Sequence, residues 1–116
     1  ILFGGIGSRF DHTLANAHLL LYLRKKGIQA VLLNEKNRVV LIDKEIILHG
    51  QAGELVSTIP LSMQVKGLTL EGLEYPLHHY DLALDDELVA VSNVMLGQTA
   101  KVSITDGYLF VIQSKD

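Results

Sequence analysis

Apolar positions along the chain follow two regimes. At the start, Ile1-Leu2-Phe3 runs straight into Gly4-Gly5, which predicts the last half of a buried strand and the turn after it. The glycine-rich stretch Gly4-Gly5-Ile6-Gly7-Ser8-Arg9-Phe10 leads to Asp11, suited to N-cap a helix over about His12 to Lys26. Leu14, Leu19, Leu20, Leu21 and Leu23 cover most of that helix's circumference and predict burial on more than one side. Gly27 supplies a left-handed C-cap, and Ile28 to Leu33 has the length of a further strand. Strand, loop, helix, strand is one βαβ unit, the end of a parallel sheet. A buried strand needs neighbours to pair with, so the pattern predicts a natural chain that starts ahead of Ile1; a processed N-terminus on an edge strand is the other reading.

The second regime begins after Asn34-Glu35-Lys36-Asn37. Val39 to Ile42, Glu45 to Leu48, Leu55 to Ile59 and Gln64 to Leu70 are short and rich in β-branched residues, with turn signals between them. Leu82 to Leu84, Glu87 to Ser92, Lys101 to Thr105 and Tyr108 to Gln113 continue in the same style, and Asp106-Gly107 predicts a hairpin between the last two. Many short strands at near-regular spacing predict an antiparallel β-sandwich or a small barrel. The fold class is therefore α+β, with a boundary at about Asn34 to Arg38 separating residues 1–36 from 37–116.

Composition narrows the functional classes. The 116 residues are 48% hydrophobic and 20% charged, which excludes disorder. Ten Lys and Arg stand against thirteen Asp and Glu, and the one basic run, Arg24-Lys25-Lys26, sits where a helix end favours cations. No concentrated basic face exists for nucleic acid. No stretch is apolar over a membrane span, no signal peptide is visible, and a cytoplasmic location is expected. The absence of cysteine removes disulfides, thiolate zinc sites and Cys nucleophiles.

The strongest candidate chemistry is the glycine-rich loop opening onto a helix. Gly5, Gly7 and Ser8 let the backbone approach an anion, the helix N-terminus offers unpaired N–H groups, and Arg9 adds a fork of donors suited to phosphate. The dinucleotide fingerprint fails because Phe10 occupies its third glycine position, and no Gly-Lys-Ser/Thr follows for a P-loop. A tight βα turn needing small residues explains the same glycines. Asp11 can cap the helix, pair with Arg9, orient a hydroxyl or hold a cation through water; His12 reads as a first-turn surface residue before a general base. Metal ligation has little support. His78 and His79 are adjacent, so their side chains should diverge on a strand, and His12 and His18 lie on different sides of a helix. Asp85-Asp86-Glu87 reads as a solvated turn. Ser8 lacks the Gly-x-Ser-x-Gly setting of a hydrolase nucleophile. Ser92-Asn93, at a predicted strand end, can donate and accept hydrogen bonds, and Tyr75 can pack on the sheet or offer its face to a flat heterocycle.

These residues resemble a family. Gly4-Gly5-Ile6-Gly7-Ser8-Arg9-Phe10-Asp11-His12-Thr13-Leu14-Ala15-Asn16 is similar to the Gly-Gly-x-Gly-x-Arg-x-Asp-His-x-x-Ala-Asn segment of thiamine pyrophosphokinases. Gly72-Leu73-Glu74-Tyr75-Pro76-Leu77 resembles that family's Gly-Leu-x-Tyr-Pro-Leu stretch. Val89-Ala90-Val91-Ser92-Asn93 resembles its Ser-x-Ser-Asn strand end, with Ala90 in place of the first serine, and Asp106-Gly107-Tyr108-Leu109 its final hairpin. The resemblance implies the end of an α/β nucleotide-binding domain over 1–36 and a β-sandwich for thiamine binding and dimerisation over 37–116. It implies a homodimer with thiamine between the α/β domain of one subunit and the sandwich of the other.

The implied reaction moves pyrophosphate from ATP to the thiamine hydroxyl and releases AMP. Arg9 with Gly5, Gly7 and Ser8 would neutralise phosphate oxygens, Asp11 would orient the hydroxyl or a bound metal ion, and Asn16 would support that arrangement. By the resemblance Ser92 and Asn93 would bond the aminopyrimidine; independently of it, the Tyr75 ring is a candidate stacking wall. The aspartates by which the family holds Mg²⁺ and ATP have no counterpart between Ile1 and Asp116, so Mg²⁺ ligands are expected mainly outside this chain. The competing readings are a non-catalytic dimerising sandwich that binds thiamine or a related small molecule, and another nucleotide-dependent phosphotransferase using the same loop.

Overall fold

Strand β3 (Asn37–Ile42) is apolar on both faces, and the architecture is arranged around it. Successive strand side chains point to opposite sides. Val40 and Ile42 enter one core while Leu41, with Val39 beside it, enters another. The computed structural model describes residues 2–3, 10–85 and 90–115. Around β3 lie β1 (Leu2–Phe3), α1 (Phe10–Lys25), β2 (Val31–Leu33), β4 (Glu45–His49), β5 (Leu55–Pro60), β6 (Gln64–Glu71), β7 (Leu77–Ala83), β8 (Asn93–Val94), β9 (Thr99–Ser103) and β10 (Leu109–Ser114).

Six strands form one sheet in the order β1-β2-β3-β10-β5-β8, and four form a second in the order β4-β9-β6-β7. Between the sheets lies the larger core, with Val56, Val65, Leu68, Val102 and Leu109 wholly buried. On the outer face of the six-stranded sheet, Leu20 of α1 packs with Ala30, Leu32 and Leu41. The β1-α1-β2 unit is present, with β1 parallel to β2 and Leu2 opposite Leu32. Strand β2 also pairs antiparallel with β3, so the expected boundary between 36 and 37 falls inside a turn of one continuous sheet. Asn34 closes that turn: its N–H donates to the Asn37 carbonyl (3.0 Å), and its Oδ1 accepts the N–H groups of Lys36 and Asn37 (2.9 and 2.7 Å).

Several expectations are corrected. Helix α1 starts at Phe10, which places Asp11 inside the first turn rather than at the N-cap. The helix is buried along one side only: Leu20 is 2% exposed, whereas Leu14 and Leu19 are 46% and 37% exposed. Gly27 has the expected left-handed conformation (φ +82°). Arg24 does more than complement the helix end, donating from Nε and Nη2 to Asp43 Oδ1 (3.2 and 3.0 Å) and so tying α1 to the β3–β4 turn.

Strand β7 begins at Leu77, well before the predicted Leu82. Leu77 faces Leu70 and Tyr80 faces Leu68, so β7 advances three residues while β6 advances two. That bulge carries His79 at φ +49° and breaks the two-residue alternation by which the strand would be read. The His78 and His79 rings do not diverge; they meet edge to face, with centroids 4.4 Å apart. Asp106-Gly107 makes no hairpin, because β9 and β10 belong to different sheets. Lys66 of β6 instead captures the crossing chain, its carbonyl accepting the Thr105 N–H (2.8 Å) and its N–H donating to Asp106 (2.9 Å). Ala90 to Ser92 form no strand, and β8 starts at Asn93; residues 87–89 of that predicted element lie outside the described residues.

Candidate functional site

Of the residues singled out by sequence, Tyr75, Ser92 and Asn93 come together where the segment after β6 meets β8. Gly72 begins the approach: it has φ +79°, and a Cβ on it would lie 2.7 Å from the Thr99 carbonyl oxygen. Only glycine turns the chain there without a clash. The Gly72 carbonyl then accepts the Leu96 N–H (3.1 Å), Leu73 bridges Met95, and the Glu74 N–H donates to the Val94 carbonyl (2.8 Å). These bonds stitch the Tyr75 segment to the strand bearing Asn93.

Asn93 is 3% exposed and acts on Tyr75 from both sides. Its Oδ1 accepts the Tyr75 N–H (2.9 Å) and the Val94 N–H (3.0 Å), and its Nδ2 donates to the Tyr75 carbonyl (2.7 Å). A primary amide has four hydrogen-bonding positions, and three of them here serve main chain. Among the described residues, nothing accepts its second amide hydrogen. With its backbone pinned, Tyr75 is 64% exposed to solvent. Ser92 is exposed and has φ +59°, a conformation that an L-residue adopts at a cost. Its N–H donates to Ser57 Oγ at 2.9 Å. Ser57 was not visible as a site residue, since its partner lies 35 positions away.

Asp11 and Asn16 lie elsewhere, on α1, which packs against β2 and β3. Asp11 is exposed, and Asn16 is partly buried. Gly5, Gly7, Ser8 and Arg9 fall outside the described residues. Strand register gives the scale of the separation: Phe3, Leu33, Arg38, Gln113, Val56 and Asn93 form one row across the sheet. Five strand spacings make that row roughly 24 Å long. Phe3, which precedes Gly4 in the sequence, is at one end of the row and Asn93 at the other.

Two surface clefts, of about 310 and 840 Å³, lie away from this cluster. Lys36, Arg38, His49 and Glu54 line the first; Asp43, Met63, Asp85 and Asp106 line the second. Neither cleft is lined by Tyr75, Ser92 or Asn93. Among the described residues, no group of three or more His, Cys, Asp or Glu side chains is placed to hold a metal ion. No helix among them is long and apolar enough to cross a membrane.

A sequence model of the family described as "Thiamin pyrophosphokinase, vitamin B1 binding domain" matches residues 43–109, a range that contains Tyr75, Ser92 and Asn93. The chain is 31% identical over 117 residues to the thiamine pyrophosphokinase of Bacillus subtilis (strain 168), covering 99% of this chain and 54% of that protein. The crystal structure of thiamine pyrophosphokinase from Bacillus subtilis superposes with a TM-score of 0.89 at 30% identity, over 97% of this chain and 53% of that one. The crystal structure of thiamin pyrophosphokinase from Geobacillus thermodenitrificans gives 0.86 at 28% identity, over 99% and 53%. The chain spans about half the length of these relatives.

Proposed function

The chain belongs to the thiamin pyrophosphokinase family, and we propose from this premise that it is the thiamine-binding part of an enzyme that makes thiamine diphosphate and AMP from thiamine and ATP. The observation that carries the reading is the Asn93 clamp on Tyr75, inside the range matched by the vitamin B1 binding model. A buried amide that spends two bonds on the main chain of one exposed tyrosine suits recognition of a flat, positively charged heterocycle. Tyr75 supplies the stacking wall. Ser92 addresses the aminopyrimidine through its hydroxyl, and Asn93 through the one amide hydrogen it has left.

In the proposed reaction the thiamine hydroxyl oxygen bonds to the β-phosphorus of ATP. The bond from that phosphorus to the α-phosphate bridging oxygen breaks, AMP leaves with the electron pair, and the hydroxyl proton passes to solvent. Such transfer depends on positioning and charge neutralisation. Arg9 and the Gly5, Gly7 and Ser8 backbone neutralise phosphate oxygens, Asp11 orients the hydroxyl, and Asn16 supports it. The described residues do not form a Mg²⁺ site of their own, and no step here runs through one.

The row of roughly 24 Å from Phe3 to Asn93 supports a homodimer, because Phe3, the residue that precedes Gly4 in the sequence, is at the far edge of the sheet from its own Asn93. A second copy brings the two halves together and turns the open Tyr75 surface into an enclosed site. Leu14, Leu19 and Tyr22 of α1 are the apolar surface that the rest of an α/β nucleotide-binding domain covers in this reading.

The test is an AMP-release assay on this chain and on the longest natural form of the protein that contains it. Thiamine-dependent AMP release in the longer form supports the proposal; inactivity in both favours a non-catalytic thiamine-binding sandwich. In an active form, Arg9→Ala is expected to lower kcat about a hundredfold, the typical loss of one donor to developing charge. Activity within tenfold of the parent contradicts the role given to Arg9.

A further inference from the structure

We infer that Ser57 is a positioning residue that sets the conformation of Ser92 and thereby the fit of the thiamine ring, an inference that rests on the function proposed above. Val56 and Thr58 of β5 are buried, while Ser57 between them is turned to the outer face of the sheet. Regular pairing of β5 with β8 covers Leu55 opposite Val94 and Val56 opposite Asn93, and ends there. Continued register would set Thr58 opposite Val91, yet the Thr58 N–H donates to the Ala90 carbonyl (2.9 Å). One extra residue has entered the strand bearing Ser92, which is the definition of a bulge.

Ser92 absorbs that extra residue through its left-handed backbone. Its N–H donates to Ser57 Oγ at 2.9 Å. A side-chain hydroxyl from the neighbouring strand thus holds the main chain at the bulge. Strained residues persist where their surroundings over-determine them. Here the Thr58 N–H on the Ala90 carbonyl and the Asn93 bonds to Tyr75 fix the chain on either side, and Ser57 Oγ holds the Ser92 N–H itself. The result is a serine side chain held outward at an exposed sheet edge, next in sequence to the amide that clamps Tyr75. Ser57 touches no substrate in this account. It acts through Ser92.

The experiment compares the parent with Ser57→Ala and Ser57→Thr. In this chain, amide hydrogen exchange at Ser92, followed by NMR, is expected to quicken roughly fivefold or more in Ser57→Ala and to stay near the parent in Ser57→Thr. Unchanged exchange in Ser57→Ala overturns the inference. In the longest natural form, the thiamine KM of Ser57→Ala is expected to rise about fivefold, the ratio one lost hydrogen bond produces. Its kcat should hold within about twofold, and Ser57→Thr should recover the KM. Faster exchange with an unchanged KM separates Ser57 from substrate and also overturns the inference. A parent without thiamine-dependent turnover fails the proposed function instead, and the exchange rates then decide whether Ser57 holds Ser92.

Discussion

The two apolar layers of this molecule are built from similar side chains and end up in different states. Between the sheets, Val56, Val65, Leu68, Val102 and Leu109 are sealed from both sides by this chain's own strands. On the helical layer, Leu20 and Leu32 are as well buried, yet Leu14, Leu19, Tyr22 and Ile28 of the same segment stand in water. Apolar content does not tell the layers apart. The difference is coverage: each sandwich sheet has a whole sheet opposite, whereas α1 has one sheet face beneath it and is apolar around more of its surface than that face reaches.

This contrast sets an order of expected effects. Leu68→Ala removes a wholly buried side chain whose neighbours belong to two sheets, and should cost about 3 to 4 kcal/mol in a urea or thermal melt. Leu20→Ala should cost about 2 kcal/mol, because the outer layer can relax toward solvent. Equal losses at the two positions would break the comparison. Arg24→Ala should cost under about 1 kcal/mol, since the pair with Asp43 is partly exposed, and the difference should shrink as salt rises. Leu14→Ser and Leu19→Ser should each stay within about 0.5 kcal/mol of the parent. A loss above about 1 kcal/mol at either would mean that the helix is covered by its own chain in solution.

Legibility in the sequence follows how local the governing interaction is. Helix α1 and its end at Gly27 are readable because periodicity and capping act within a few residues. The run Val39 to Ile42 is readable as a strand for the same reason. Strand β7 is not, because the bulge at His79 interrupts its alternation and the compensating shift lies in β6. Asp106-Gly107 has strong local turn chemistry, but its pairing is decided by Lys66, some forty positions away. At the candidate site, Ser92, Asn93 and Tyr75 can be named from the sequence, whereas their duties cannot. That Asn93 serves the Tyr75 main chain, and that Ser57 serves Ser92, depends on contacts 18 and 35 residues apart. A half-buried serine in a strand carries no local sign of such a partner.

Strand β3 places alternate side chains in both layers at once. Losing it would strip the sandwich of Val40 and Ile42 and the helix of Leu41 in the same event, so neither layer has a private route to disorder. Heating should therefore yield a single sigmoid, with helical and sheet signals disappearing together.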